Sequence, residues 1–388
     1  MPRKIAIFTG SRAEYGLLYP IISRMIDDDR LEPLLIVSGS HVKDGGTIHE
    51  IERDGIPVAA VIPCDETDDN LLGTTSAIGS VITRLGPVLA SLDPAITLIY
   101  GDRFESFGAM VASTQMRIPT AHVEGGDYTD GGALDDMLRH AMTKLAHVHF
   151  TTNADAASRV SRLGEETWRI TNVGLPALDL IALKQYAGRE QILARFQLDP
   201  SHPVLLFTQH SVATEFEHAG EQIDASLDAL EFAVKNWNCQ VVMTHPNDDA
   251  GGSVILNRMA AFARRDLSGV QLHASLGRHY YHGMLALASA CVGNSSSGVK
   301  ETPAFHCPTV NIGTRQRGRL CAENVIHTGY ERGEIINALE CCLFDEAFHR
   351  RVVGCRNPYG TGSAGVQICE ILASMDLDDR LIQKRMTF

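Results

Sequence analysis

A basic excess is missing from this chain of 388 residues: 34 Lys and Arg stand against 47 Asp and Glu, a formal net charge of −13. A nucleic-acid binder shows a basic excess or a basic stripe. Neither occurs, so nucleic acid is excluded as a partner. Any phosphate held here is a small one, met by a local cluster of donors. No C-x-x-C pair occurs among the nine cysteines, which removes zinc-ribbon spacing. No apolar run approaches the roughly 18 residues of a membrane span. The opening MPRKIAIFTG lacks the apolar stretch and small-residue cleavage site of a secretory signal. These absences lead to the expectation of a reduced, cytoplasmic, soluble protein without a membrane partner. Short-period repeats and low-complexity tracts are also absent.

What is present is ordinary globular composition, 44% hydrophobic and 21% charged. The length predicts two domains at roughly 150 residues each. Continuous apolar runs predict parallel strands covered on both faces at Lys4–Thr9, Pro33–Ser38, Pro57–Ile62, Ala95–Tyr100, Ile118–Val123, Val148–Thr151 and Arg169–Val173. Helical patterns such as Gly16–Asp29 and Phe104–Met116 separate them. The pattern restarts with Pro203–Thr208, Gln240–Thr244, Val270–His273, Ala290–Gly293 and Thr309–Ile312. The expectation is therefore an α/β protein with two doubly wound domains. Residues 1–183 form the first, which a C-terminal helix at 365–388 could complete, and residues 200–364 form the second. Ligands in such sheets sit beyond the carboxyl ends of the strands, so the segments after each strand matter most.

TGSRAEYG follows the first strand without the G-x-G-x-x-G spacing of a dinucleotide fingerprint. Arg12 there is either a fork for an anion or a solvated arginine. YGDRFES places Asp102 at a strand tip, as a helix N-cap, a cleft residue or both. Arg103 beside it meets a phosphate or neutralises the acid. AHVEGGDYTDGGALDDMLRH gathers five carboxylates on a glycine-rich stretch. Glu124 ends a buried strand, where an unpartnered carboxylate is costly. Asp135 and Asp136 have surface i,i+4 pairing with Arg139 and His140 as their plain explanation. Asp127 and Asp130 read as solvated or structural.

In the second half, FTQHSV places His210 at a strand tip, and THPN places His245 after the next strand. Imidazole titrates near neutrality, although a lone histidine is more often structural. GNSSSGVKE brings Ser295, Ser296 and Ser297 to a helix start, with Glu301 a turn further on. Hydroxyls and N–H groups there suit a diphosphate, and the carboxylate suits the two hydroxyls of a ribose. A serine-rich N-cap is the plain alternative. IGTRQRGR adds Arg315, Arg317 and Arg319, the strongest phosphate footprint on the chain. Carboxylates thus concentrate in the first domain and phosphate chemistry in the second, as expected for a nucleotide-linked substrate held across an interdomain cleft.

GSRAEYG, YGDRFES, HVEGGDYTDGGALDDMLRHAMTK, NVGLPALD, TQHS, THPN, GNSSSGVKETPAF and IGTRQRGR occur in this order over nearly the whole chain. Together they resemble the hydrolysing UDP-N-acetylglucosamine 2-epimerases of sialic acid synthesis. The resemblance implies two Rossmann-like domains of GT-B type with the active site between them, no metal and no cofactor. It also implies a homodimer or homotetramer, and conversion of UDP-N-acetylglucosamine and water to N-acetylmannosamine and UDP. Carried over by position, it makes Asp102, Glu124, Asp135 and His210 catalytic, with either Asp135 or Asp136 facing the sugar. It gives Arg12, Arg103, His245, Ser295, Ser296, Glu301 and Arg315 to UDP. Four alternatives stand beside it. They are the related enzyme acting on UDP-N,N′-diacetylbacillosamine, the non-hydrolysing epimerase, a GT-B glycosyltransferase and a non-catalytic UDP-sugar sensor. The proline- and tryptophan-containing stretch of the non-hydrolysing branch is absent, with DYTDGGALDD in its place.

Overall fold

The computed structural model describes residues 1–42, 47–63, 71–128, 134–212, 214–247, 250–265 and 267–388, and the side chains of these except at Arg12, Ala13, Ser40, Leu71, Leu134 and Asp135. The chain divides into two compact units, one built from Met1–Tyr128, Leu134–Asp179 and Tyr359–Phe388, the other covering Leu180–Pro358.

Among the described residues the first unit holds seven strands: β1 (Arg3–Thr9), β2 (Leu31–Val37), β3 (Val58–Val61), β4 (Ile96–Tyr100), β5 (Thr120–Val123), β6 (Val148–Thr151) and β7 (Ile170–Asn172). All pair in parallel, in the order β3-β2-β1-β4-β5-β6-β7. Alternation along β1 feeds two cores, with Ile5 and Ile7 on one face and Ala6 and Phe8 on the other. This period of two on a doubly covered sheet explains the continuous apolar run.

The helix Ala364–Ser374 completes the first core through Ala364, Ile368, Cys369 and Leu372. Its first N–H groups, at Ala364 and Gly365, donate to the Asp179 carboxylate at 2.9 and 2.6 Å. The tail beyond it is tied down by buried Arg169, which donates to the carbonyls of Leu381 and Arg380 at 2.8 and 2.7 Å. Lys384 also pairs with buried Glu165 at 2.7 Å.

One helix departs from the expectation about apolar runs: Leu72–Leu92 is long and apolar enough to cross a membrane by length and composition. Its apolar residues are diluted by Gly, Ser and Thr, which hides the run in the sequence. Val81, Leu85 and Leu89 on one face pack into the first unit's second core.

The second unit holds β8 (Val204–Thr208), β9 (Gln240–Thr244), β10 (Val270–His273), β11 (Ala290–Gly293), β12 (Thr309–Ile312) and β13 (Val325–Thr328). They are again all parallel, in the order β10-β9-β8-β11-β12-β13. β13 was not expected: it is a four-residue edge strand, VIHT, without a continuous buried run. The helix Arg189–Phe196 sends Ile192 and Phe196 into this unit's core.

Strand order reverses between β1 and β4 in one sheet and between β8 and β11 in the other. Such switch points open a crevice beyond the strand tips, where ligands bind in doubly wound sheets.

Candidate active site

In the first unit the tips of β4 and β5 carry a carboxylate cluster gathered around one guanidinium. Arg139, on the helix Leu134–Leu145, is 3% exposed and ion-paired to both Asp102 and Asp136. It also donates to the Asp127 carbonyl at 2.9 Å. Burial alone would lower its pKa, but the carboxylates of Asp102, Asp136, Glu124 and Asp127 outweigh this and raise it, so the guanidinium stays charged.

Asp102 therefore does not cap the next helix. The N-cap position of Phe104–Gln115 belongs to Arg103, with no side-chain cap. Asp136 is buried rather than on the surface, and it is ion-paired with Arg139 at i,i+3, while its charge also acts on His140 at i,i+4. The burial of Asp136 has a simple cause. This helix follows the β5 tip, so its first turns lie over the sheet's carboxyl edge and Arg139 reaches the acids there. Asp127 is structural, accepting from Thr152 Oγ1 and Asn153 Nδ2, each at 2.9 Å. Asp130 and the Asp135 side chain lie outside the described residues.

Glu124 follows β5 with φ of 70°, a left-handed conformation that a non-glycine residue seldom adopts. Such backbone strain concentrates at functional sites. Its carboxylate accepts from the buried Tyr100 hydroxyl. Burial, then the Glu124 charge, pushes the Tyr100 phenol far up, so Tyr100 remains a donor. Beneath, His122 Nε2 donates to the Gly101 carbonyl at 2.7 Å and fixes the turn that presents Asp102. Burial pushes this imidazole down to about 4, keeping it neutral.

At the β1 tip Arg12 opens the helix Arg12–Ile26, with its side chain outside the described set. Arg103 pairs with buried Glu105 at 3.1 Å. Behind them, Glu14 accepts from Gly10 N–H at 2.9 Å and from Ser106 Oγ at 2.5 Å. Burial raises its pKa to about 7, Glu105 adds to the rise and Arg103 opposes it.

The second unit builds its tips from backbone and neutral groups. Gly293 ends β11 with φ of 119°, and a Cβ there would lie 2.0 Å from the Thr208 carbonyl oxygen. Only glycine fits this approach. It lets Asn294 clamp His210 from both sides: Asn294 Oδ1 accepts from His210 N–H at 2.7 Å, and Asn294 Nδ2 donates to the His210 carbonyl at 2.8 Å. The Asn294 carbonyl in turn accepts from Arg315 at 3.2 Å and from Gln316 at 2.8 Å. One residue thus ties together the TQHS, GNSSSG and TRQR segments.

His210 Nδ1 accepts from the Asn247 N–H at 3.0 Å. Burial, with Arg315 adding to it, holds the imidazole well below its usual range. The ring is neutral with its proton on Nε2, a hydrogen-bond donor rather than a base. His245 follows β9, its N–H on the His273 carbonyl at 3.1 Å. Ser295 and Ser296 are half-buried, and the helix they precede is only Ser297–Lys300, without a side-chain cap. Four residues carry little dipole, so an anion would be met by local N–H groups and hydroxyls. Glu301 ends that helix and accepts from His282 Nε2 at 2.9 Å. Among the described residues no group of three or more His, Cys, Asp or Glu is arranged to hold a metal ion.

Sequence reasoning passed over Tyr100, Glu14, Asn294 and His282, and gave Arg139 only a surface pairing. Arg139 carried a signal, since a lone arginine among five acids is expected to be paired, but the pairing was placed on the surface. The others act through contacts between strand tips distant in sequence.

Fold and tips together define a two-unit α/β protein with carboxylates around a buried arginine at the strand tips of one sheet and a glycine, asparagine, histidine and arginine scaffold at the strand tips of the other. More narrowly, residues 24–373 match the UDP-N-acetylglucosamine 2-epimerase family, and the chain belongs to that family of enzymes. It is 30% identical to the hydrolysing UDP-N,N′-diacetylbacillosamine 2-epimerase of Legionella pneumophila, over 99% of each chain. It is 29% identical to the UDP-N-acetylglucosamine 2-epimerase of Neisseria meningitidis, over 87% of each. The crystal structure of the UDP-GlcNAc 2-epimerase from Neisseria meningitidis bound to UDP-GlcNAc aligns with a TM-score of 0.80 at 19% identity, over 95% of this chain and 99% of that one. This last likeness shows the fold.

Proposed function

We propose that this chain is a hydrolysing 2-epimerase of a UDP-linked 2-acetamido sugar, releasing UDP and the free epimerised sugar. UDP-N-acetylglucosamine is the substrate of this reading and N-acetylmannosamine its product, for sialic acid-type sugar synthesis. The observation that carries it is the Glu124 carboxylate, set on left-handed backbone, in the same charge cluster as Asp102 and Arg139. Removing a weakly acidic proton from sugar carbon 2 needs a fixed base, and the departing diphosphate needs donors and cations. Proton transfer falls to Asp102, Glu124 and the Asp135/Asp136 pair. Loss of UDP from carbon 1 leaves a 2-acetamidoglucal. Water then adds across the double bond, and a proton returns to the opposite face of carbon 2.

His210 serves as an Nε2–H donor to the diphosphate, which its bond from Asn247 supports. Arg315, Arg12, Arg103, His245, Ser295 and Ser296 hold the nucleotide, and Glu301 takes the ribose hydroxyls. The enzyme acts in the cytoplasm as a homodimer or homotetramer. The eight described cysteines are free thiols, which suits a reducing compartment.

A second reading, UDP-N,N′-diacetylbacillosamine as substrate, is favoured by the match to the Legionella pneumophila enzyme over 99% of both chains. Initial rates of UDP release from the two UDP-sugars, with products identified by mass, test both. Release from the first sugar supports the main reading. Release from the second alone replaces it, and release from neither refutes both.

A further inference from the structure

The carboxylate assigned to the ribose does not stand alone. His282 lies on the helix Gly277–Leu287, 4% exposed, and its Nε2 is 2.9 Å from Glu301 Oε2. The ring is tilted against Phe305 at 5.9 Å between centroids. Its other nitrogen, Nδ1, is buried without a hydrogen-bond partner among the described residues. A buried N–H with no acceptor is costly. The tautomer that avoids it keeps the hydrogen on Nε2 and donates to Glu301. The Glu301 side chain itself keeps 14% of its surface open.

We propose that His282 is a positioning residue for ribose recognition: it locks the Glu301 carboxylate in the orientation that receives a vicinal diol. The proposal rests on the assignment of Glu301 to the ribose. A glutamate side chain has several free torsions, and ordering them when a ligand arrives weakens binding. Here one hydrogen bond from a buried ring fixes the carboxylate beforehand. Oε2 spends one lone pair on His282, which leaves its second lone pair and Oε1 for two neighbouring hydroxyls. A pair of hydroxyls engages such a carboxylate through two bonds, whereas a 2′-deoxyribose offers one. The fixed orientation therefore serves discrimination as well as affinity. An arginine or lysine at position 282 would hold the carboxylate by charge. A histidine does so with a planar donor whose direction is set by packing on the helix.

The experiment measures dissociation constants of UDP and of 2′-deoxy-UDP by calorimetry, for wild type, His282→Gln, His282→Asn and Glu301→Gln. The Gln amide nitrogen reaches the place of Nε2, and the shorter Asn amide does not. Wild type is expected to favour UDP about tenfold or more over the deoxynucleotide, the effect of one charge-assisted hydrogen bond. His282→Gln should keep most of that preference. His282→Asn should cut it at least about threefold, raising KM with little change in kcat, as loss of uniform binding does. Equal preference in the Gln and Asn variants, alongside a collapse in Glu301→Gln, would overturn the role of His282 while leaving Glu301 on the ribose. An unchanged preference in Glu301→Gln would remove Glu301 from the ribose, and the inference with it. Both replacements of His282 are polar and close to histidine in size, so neither puts a large apolar group beside Glu301.

Discussion

The strand tips of the two sheets use opposite materials. At the β4 and β5 tips, four carboxylates surround one buried guanidinium, and a catalytic candidate sits in left-handed backbone. At the β8 and β11 tips, a glycine approaches a carbonyl, an asparagine clamps a neutral histidine, and arginine donates to a carbonyl. The first is a charge network that holds strain. The second is a scaffold of backbone and neutral groups tied together by hydrogen bonds. The difference suits two tasks: moving protons needs groups that change charge, whereas seating a diphosphate needs donors that do not.

The sharpest way to break this comparison is at Glu124. Glu124→Gln keeps the size and the acceptor for Tyr100 but removes a carboxylate that can give or take a proton. UDP release should fall by about 10²–10⁴-fold, while the dissociation constant for UDP, measured by calorimetry, stays as in wild type. Normal turnover would remove Glu124 from proton transfer.

Next comes the charge network itself. Arg139→Met leaves buried carboxylates without their cation and should cost about 3–5 kcal/mol of stability, read from the urea midpoint of unfolding. The corresponding insult to the second unit involves no charge. Gly293→Ala forces a Cβ against the Thr208 carbonyl and should cost about 2 kcal/mol or more, read the same way.

Smaller effects should separate the regions further. Arg315→Ala is expected to weaken UDP binding about tenfold or more, with the stability of the protein little changed, as calorimetry and thermal melts would show. Glu14→Gln should act through pH. The folded pKa of Glu14, about 7, lies above its ordinary value of 4.5. Its stabilising contribution is thus full below the ordinary value and lost as pH rises through about 7. The variant cannot ionise, so its stability should gain on wild type by about 1–3 kcal/mol between about pH 5 and about pH 8. Parallel urea midpoints for the two proteins across that range would contradict this.

Much of the fold was legible because the strands are covered on both faces. Runs such as Ala95–Tyr100 and Pro203–Thr208 differ by one residue from the strands Ile96–Tyr100 and Val204–Thr208. β13 escaped because an edge strand carries no such run. The candidate residues of the site were legible as residues that follow strands. Their partners were not, because the contacts join loops far apart in sequence. Asp102 meets Arg139 over 37 positions, and Asn294 meets His210 over 84. The left-handed backbone of Glu124 had no sequence signal either, since that conformation is ordinarily marked by glycine or asparagine.

The central claim is that one reaction both inverts carbon 2 and releases UDP. Proton NMR of the enzyme with UDP-N-acetylglucosamine in deuterated water tests it most directly, with UDP-N,N′-diacetylbacillosamine run in parallel. The predicted result is free UDP together with an epimerised sugar carrying deuterium at carbon 2. UDP release without deuterium in the sugar, or deuterium entering a sugar that remains attached to UDP, would contradict it.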